Sequence, residues 1–147
     1  MKKIFVSLIL MLTAGLSSVF AGNDPNPDQQ VLDEFNKEFE TAQHVTWSKQ
    51  DDFDKATFLL GGNRVIAFFD QDGKLAGTAR EIDFSQLSLV VMRAVEKRFA
   101  NATIFSVTEI SNENGTSYRI VLEANNKKYR IKADLDGNTS IMEKLKK

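Results

Sequence analysis

Two turns carry paired carboxylates at a spacing that could hold a cation. Asp70-Gln71-Asp72-Gly73 and Asp134-Leu135-Asp136-Gly137 each set two acids beside a glycine. A calcium loop of the EF-hand type needs oxygen ligands at positions 1, 3, 5 and 12, with Gly at 6. With Gly73 at position 6, Phe68 falls at 1 and Ala79 at 12; with Gly137, Lys132 falls at 1, although Glu143 does fall at 12. Neither ligand set closes. The same residues suit tight hairpins, with Asp bonding the turn's own amides and Gly supplying positive φ. Other chemistry is sparse. There is no cysteine, so there is no thiol nucleophile and no disulfide. His44 is the only histidine and no serine sits in G-x-S-x-G, so no nucleophile-and-base pair is legible. His44, just before Val45 and Trp47, reads as a solvent-facing strand-edge residue. The sequence predicts no catalytic residue, no metal site and no cofactor.

The elements that carry these turns come in two similar sets. At an offset of 60, Lys37, Phe39, Ala42 and Val45 align with Lys97, Phe99, Ala102 and Phe105, and Phe58 and Leu60 with Tyr118 and Ile120. The Asp-x-Asp-Gly turns then align at an offset of 64. A repeat of this length implies one supersecondary unit used twice, with a single core shared between the copies. Val31, Leu32, Phe35 and Phe39 give the first copy an amphipathic helix. Strands are predicted at 44–49, 55–61, 63–70 and 74–82, with Gly61-Gly62-Asn63 and Asp72-Gly73 as turns. In the second copy, Asp83 and Gln86 have the spacing of a capping box ahead of a longer helix. Its stripe is Leu87, Val90, Val91, Ala94, Val95 and Phe99, and Phe39 and Phe99 are expected at equivalent buried positions. Strands at 103–111, 116–124, 127–134 and 138–145 complete it. The order αββββ-αββββ predicts an α+β fold: an antiparallel sheet with helices packed on one face.

Alternation along the strands assigns the two faces. Tyr118, Ile120 and Leu122, with Tyr129, Ile131 and Ala133, must meet the helices. The repeat register puts Phe58, Leu60, Val65, Ala67 and Phe69 on the same side, and Trp47 and Phe105 share the core parity of Val45 and Val107. Leu59, Ile66 and Phe68 are left on the open face of the first copy, and Arg119, Arg130 and Lys132 on that of the second. A sheet face apolar in one half and basic in the other has the composition of a recognition surface. Cover by the leader, a partner subunit or the other repeat is the alternative.

A short helix, then Val45-Thr46-Trp47, a strand with Phe58, and Phe68-Phe69-Asp70-Gln71-Asp72-Gly73-Lys74-Leu75 resembles the PepSY-like, β-lactamase-inhibitor-like family of exported bacterial proteins. The resemblance spans about residues 31–147. It implies a tandem repeat with helices on one face of a curved sheet, and a non-catalytic, protein-binding role. It transfers no contact residue, and Leu87-Ser88 stands where the family pattern has Leu-Pro.

The first 21 residues read as a cleavable signal: Lys2 and Lys3, an apolar stretch from Ile4 to Leu16, and Val19-Phe20-Ala21 before the cut. The apolar run is short of the ~20 residues that span a bilayer, so no membrane span is expected after cleavage. The short, Lys-led signal points to a bacterial periplasmic or secreted protein. Residues 22–30, with both prolines, read as a flexible leader. Losing Lys2 and Lys3 takes the formal net charge from −1 to −3, which argues against general nucleic-acid binding. Repeat one (31–82) and repeat two (83–147) form a single domain in this reading. The expected function is an exported binding module for a protein or peptide partner. A periplasmic small-ligand or metal-binding protein is the alternative, and a carboxylate-based enzyme follows it.

Overall fold

The computed structural model describes residues 26–146, so the expected signal peptide (1–21) and the start of the expected leader (22–30) lie outside the described residues. Helix α1 (Gln29–Glu38) forms where Val31 and Phe35, one turn apart, can be buried together. It ends at Phe39, whose N–H donates to Phe35 O at 2.8 Å. The helix begins inside the span expected as a leader, 22–30. Gln29 and Gln30 already lie in α1, and Pro27, just before the N-cap Asp28, is buried where an apolar staple anchors a helix start.

Strands β1 (Gln43–Gln50), β2 (Phe53–Leu60), β3 (Asn63–Phe69) and β4 (Leu75–Ile82) follow α1. The Asp83–Gln86 box closes as expected, with Asp83 N–H donating to Gln86 Oε1 at 2.7 Å, but it caps a separate 3-10 turn (Phe84–Gln86). The chain turns extended at buried Leu87, and helix α2 (Leu89–Arg98) starts anew with Ser88 Oγ accepting from Val91 N–H. Leu87 and Met92 join the same apolar cluster on either side of that cap, which locks the entry angle of the helix. Val91, Val95 and Phe99 form its buried stripe, whereas Val90 is 56% exposed. Strands β5 (Thr103–Asn112), β6 (Gly115–Ala124), β7 (Lys127–Asp134) and β8 (Thr139–Leu145) complete the chain.

All eight strands pair in sequence order, every neighbour antiparallel, into one open sheet. Each strand thus returns through a short local connection, except where α2 intervenes between β4 and β5. Cross-strand partners share a face, so the register shows that both helices lie on one side. Val65, buried under α1, faces Arg80; two residues on, Ile82 faces Val107, buried under α2.

The core is not single. Buried side chains form one cluster of α1 with β2 and β3 (Val31, Phe35, Ala56, Phe58, Val65, Ala67, Phe69) and another of α2 with β5, β6 and β7. Four of the helix-side positions at the β4–β5 seam, Thr78, Arg80, Glu109 and Ser111, are polar and separate them. Thr78 pairs with Ser111, and Arg80 with Glu109, whose Oε1 accepts from Arg80 Nε at 2.7 Å. That contact raises the Arg80 pKa further above its ordinary value, first through the hydrogen bond and then through the charge of Glu109. Of the two expected helix-end phenylalanines, Phe99 is buried but Phe39 is only half-buried, packed on Phe35 and Phe58.

The Asp-x-Asp-Gly turns are built alike. Asp70 Oδ1 accepts from Asp72 N–H and Lys74 N–H at 3.0 and 2.9 Å; Asp134 Oδ1 accepts from Asp136 N–H and Asn138 N–H at the same distances. Gly73 and Gly137 take φ of 75° and 84°. A Cβ on Gly137 would lie 3.1 Å from Val90 Cγ1, so this turn is pressed against α2. The Asn138 side-chain amide, then its backbone N–H, hold the Asp134 carboxyl below its ordinary value. A carboxyl with a lowered folded-state pKa adds stability above its unfolded value and loses it as pH falls through the folded one. The stability gap between the parent chain and Asn138→Ala should therefore narrow as pH drops below about 3.8, as read by urea unfolding at several pH values. A gap constant down to acid unfolding would refute this.

Candidate functional site

Opposite the helices, no described element covers the sheet. Register places all six expected residues on this open face. Leu59 lies on β2, Ile66 and Phe68 on β3, Arg119 on β6, and Arg130 and Lys132 on β7. The three apolar ones are half-exposed, Arg119 and Lys132 are exposed, and Arg130 is half-exposed. Phe68 stands between Lys55 on β2 and Gly77 on β4, so one flank of its ring is bare backbone.

The basic residues are not equivalent. Arg130 is held by an ion pair with Glu143 of β8. Arg119 and Lys132 face one another directly across β6 and β7, and neither forms an ion pair among the described residues. Like charges directly opposite in a sheet are destabilising. Beside them is a shallow depression of about 220 Å³, lined by Ile110, Asn112, Ser117, Arg119, Lys132 and Met142.

Three apolar residues of this face were not anticipated. Ile110 pairs with Ala79, which pairs with Ile66, extending the apolar row onto β5. Counting alternation on from buried Val107 would have found it. Phe105, expected in the core, is 52% exposed. A bulge between Ile104 and Ser106 breaks the alternation and turns it to the open face, where Lys128 Nζ lies 4.3 Å from its ring centroid. Met142, 51% exposed, sits at the irregularity in β7–β8 pairing. Bulges have no reliable mark in sequence, so neither residue could be placed by parity. Trp47 does pack inward, edge-on to Phe35 at 5.1 Å.

Elsewhere the described residues offer little chemistry. His44 is exposed on edge strand β1, and no group of three or more His, Asp or Glu is gathered for a metal. A hollow of about 530 Å³ between the end of α2 and the 3-10 turn is mainly apolar, with Glu96 and Asn101 at its rim. In the two turns, one oxygen of each first Asp is committed to backbone amides. Millimolar calcium should accordingly leave the thermal midpoint unchanged, because a tightly bound ion would raise it by mass action. A rise of several degrees that Asp72→Ala abolishes would show a calcium site after all.

An eight-stranded antiparallel sheet with two helices on one face and an open opposite face defines an α+β protein of one layer of helices on one sheet. Solved structures share this fold. A DUF2874 family protein from Bacteroides ovatus superposes with a TM-score of 0.71 at 23% identity, over 78% of this chain and 87% of that one. A BLIP-like protein from Bacteroides fragilis gives 0.70 at 20% identity, over 81% and 85%. A protein provisionally described as periplasmic, from Bacteroides eggerthii, gives 0.71 at 18%, over 80% and 87%. These likenesses establish a BLIP-like fold. No family model and no curated protein sequence matches the chain.

Proposed function

We propose that the chain is an exported, non-catalytic binding module that docks a protein or peptide on the open sheet face. The observation that carries this reading is the unequal make-up of that face. Half-exposed Leu59, Ile66 and Phe68 stand in the first half, and cations stand at the matching positions of the second. Aromatic anchors and arginines are the side chains that dominate protein interfaces. The BLIP-like fold supports a protein partner, and the PepSY-like resemblance of the sequence points the same way.

The two halves are, in this proposal, copies of one αββββ unit. Leu59, Ile66 and Phe68 then correspond to Arg119, Arg130 and Lys132 at offsets of 60 and 64. Their buried partners stay apolar in both copies: Val31 with Val91, Phe35 with Val95, Ala67 with Ile131. Packing constrains the helix side, and the open face is free to differ. Export rests on the Lys2-Lys3 and apolar segment, which lies outside the described residues. No helix among the described residues is long and apolar enough to cross a membrane, and the periplasmic description of one neighbour agrees.

Affinity capture from the native periplasm, followed by titration of the captured protein, tests the proposal. Phe68→Ala should weaken that binding by about 2 kcal/mol and barely move the unfolding midpoint. Unchanged binding with a large stability loss would make Phe68 a packing residue and defeat the reading.

A further inference from the structure

We infer that the open face takes an extended segment of a partner protein in which an apolar side chain and a carboxylate stand about four to six residues apart. This rests on the binding role proposed above and specifies the chemistry of the partner. The anchor for the carboxylate is the Arg119–Lys132 pair. Both side chains are exposed, directly opposite on β6 and β7, and without an ion pair among the described residues. The nearest acid on β7, Asp134, spends its oxygens on the amides of its own turn and on the Asn138 side chain. Arg130 is excluded as an anchor because Glu143 already neutralises it. Two cations held side by side repel each other until an anion arrives, so a carboxylate gains from both. The depression beside them offers Asn112 and Ser117 to complete its hydrogen bonds.

The apolar side chain belongs over β3 to β5. There Ile66, Ala79 and Ile110 form one cross-strand row, with Phe68 and bare Gly77 next to it. From Ile66 on β3 to the pair on β6 and β7 is three to four strand spacings, roughly 14–19 Å at ~4.8 Å per strand. An extended chain rising about 3.3 Å per residue crosses that distance in about four to six residues. The charge of the molecule favours a peptide over a polyanion. A formal net charge of −3 without the signal segment opposes nucleic acid, while a local cation pair beside apolar surface fits an acidic peptide.

The test uses the purified protein and an array of synthetic peptides. Each peptide carries one Phe and one Glu in a Gly-Ser background, at separations from adjacent to about ten residues. Binding should peak at a separation of about four to six residues and fall about tenfold or more in Arg119→Ala/Lys132→Ala. Replacing Glu by Gln in the peptide should cost as much. Circular dichroism checks that the variant is folded, which is expected because both side chains are exposed. Binding that ignores separation, survives the double substitution or is absent throughout the array would overturn the inference. So would tighter binding of oligothymidylate or of vesicles containing phosphatidylglycerol. If a captured partner still depends on Phe68 while the array fails, the binding role stands and only this choice of partner chemistry falls.

Discussion

Phe35→Ala is expected to cost about 3–5 kcal/mol of folding stability, more than any other single truncation in the first half. The Phe35 ring is buried under α1 and meets four other aromatic rings. It stands edge-on to Phe58 at 5.0 Å, to Trp47 at 5.1 Å and to Phe69 at 6.2 Å, and tilted against Phe39 at 5.4 Å. Truncation removes the ring's transfer free energy and leaves a cavity whose walls are rigid rings on a paired sheet, so collapse is limited. The quadrupole attractions of the edge-on pairs are lost as well, each worth about 0.5–1.5 kcal/mol beyond burial. Phe39→Ala should cost clearly less, because Phe39 caps the helix end and keeps part of its surface in water. Urea unfolding of the two variants checks the order. Equal losses would mean that the cluster is not centred on Phe35.

The second large effect is Leu122→Ala, at about 2–5 kcal/mol. Leu122 is fully buried on β6, between Ile104 on β5 and Tyr129 on β7, beneath α2. Because it and Phe35 belong to separate clusters with a polar seam between them, their costs should add within about 0.5 kcal/mol. Both should nonetheless weaken one cooperative transition. Each half is smaller than ~70 residues, near the size at which a single core is marginal, and the β4–β5 ladder from Gly77–Asn112 to Ile82–Val107 joins them. The double variant, followed by tryptophan fluorescence for the first half and far-ultraviolet dichroism for the whole, separates the outcomes. Trp47 reports only on the α1 cluster, so fluorescence and dichroism midpoints that part company would show halves that unfold independently.

Local pattern determined most of the architecture. Apolar residues at helical spacing located both helices, and alternation bounded by Gly, Asn and Asp turns located the ends of all eight strands to within two residues. The open-face positions of Leu59, Ile66, Phe68, Arg119, Arg130 and Lys132 followed as well, because period-two geometry leaves no choice once one face is known to be buried. Turn chemistry was equally legible. An Asp followed by Asp-Gly satisfies the turn's own amides without reference to the rest of the molecule.

Tertiary structure decided what depends on partners distant in sequence. The split into two cores comes from four polar side chains, Thr78, Arg80, Glu109 and Ser111, which meet only when β4 pairs with β5. Phe105 left the core because a bulge, a property of two strands rather than one, reversed its direction. Among three cations of the same face, only pairing across strands distinguished Arg130, neutralised by Glu143, from Arg119 and Lys132, which are set against each other. Sequence alone reports the identity and face of a charge, because both are local. Its free energy depends on which charges the fold brings within a few ångströms, and that is settled only by register.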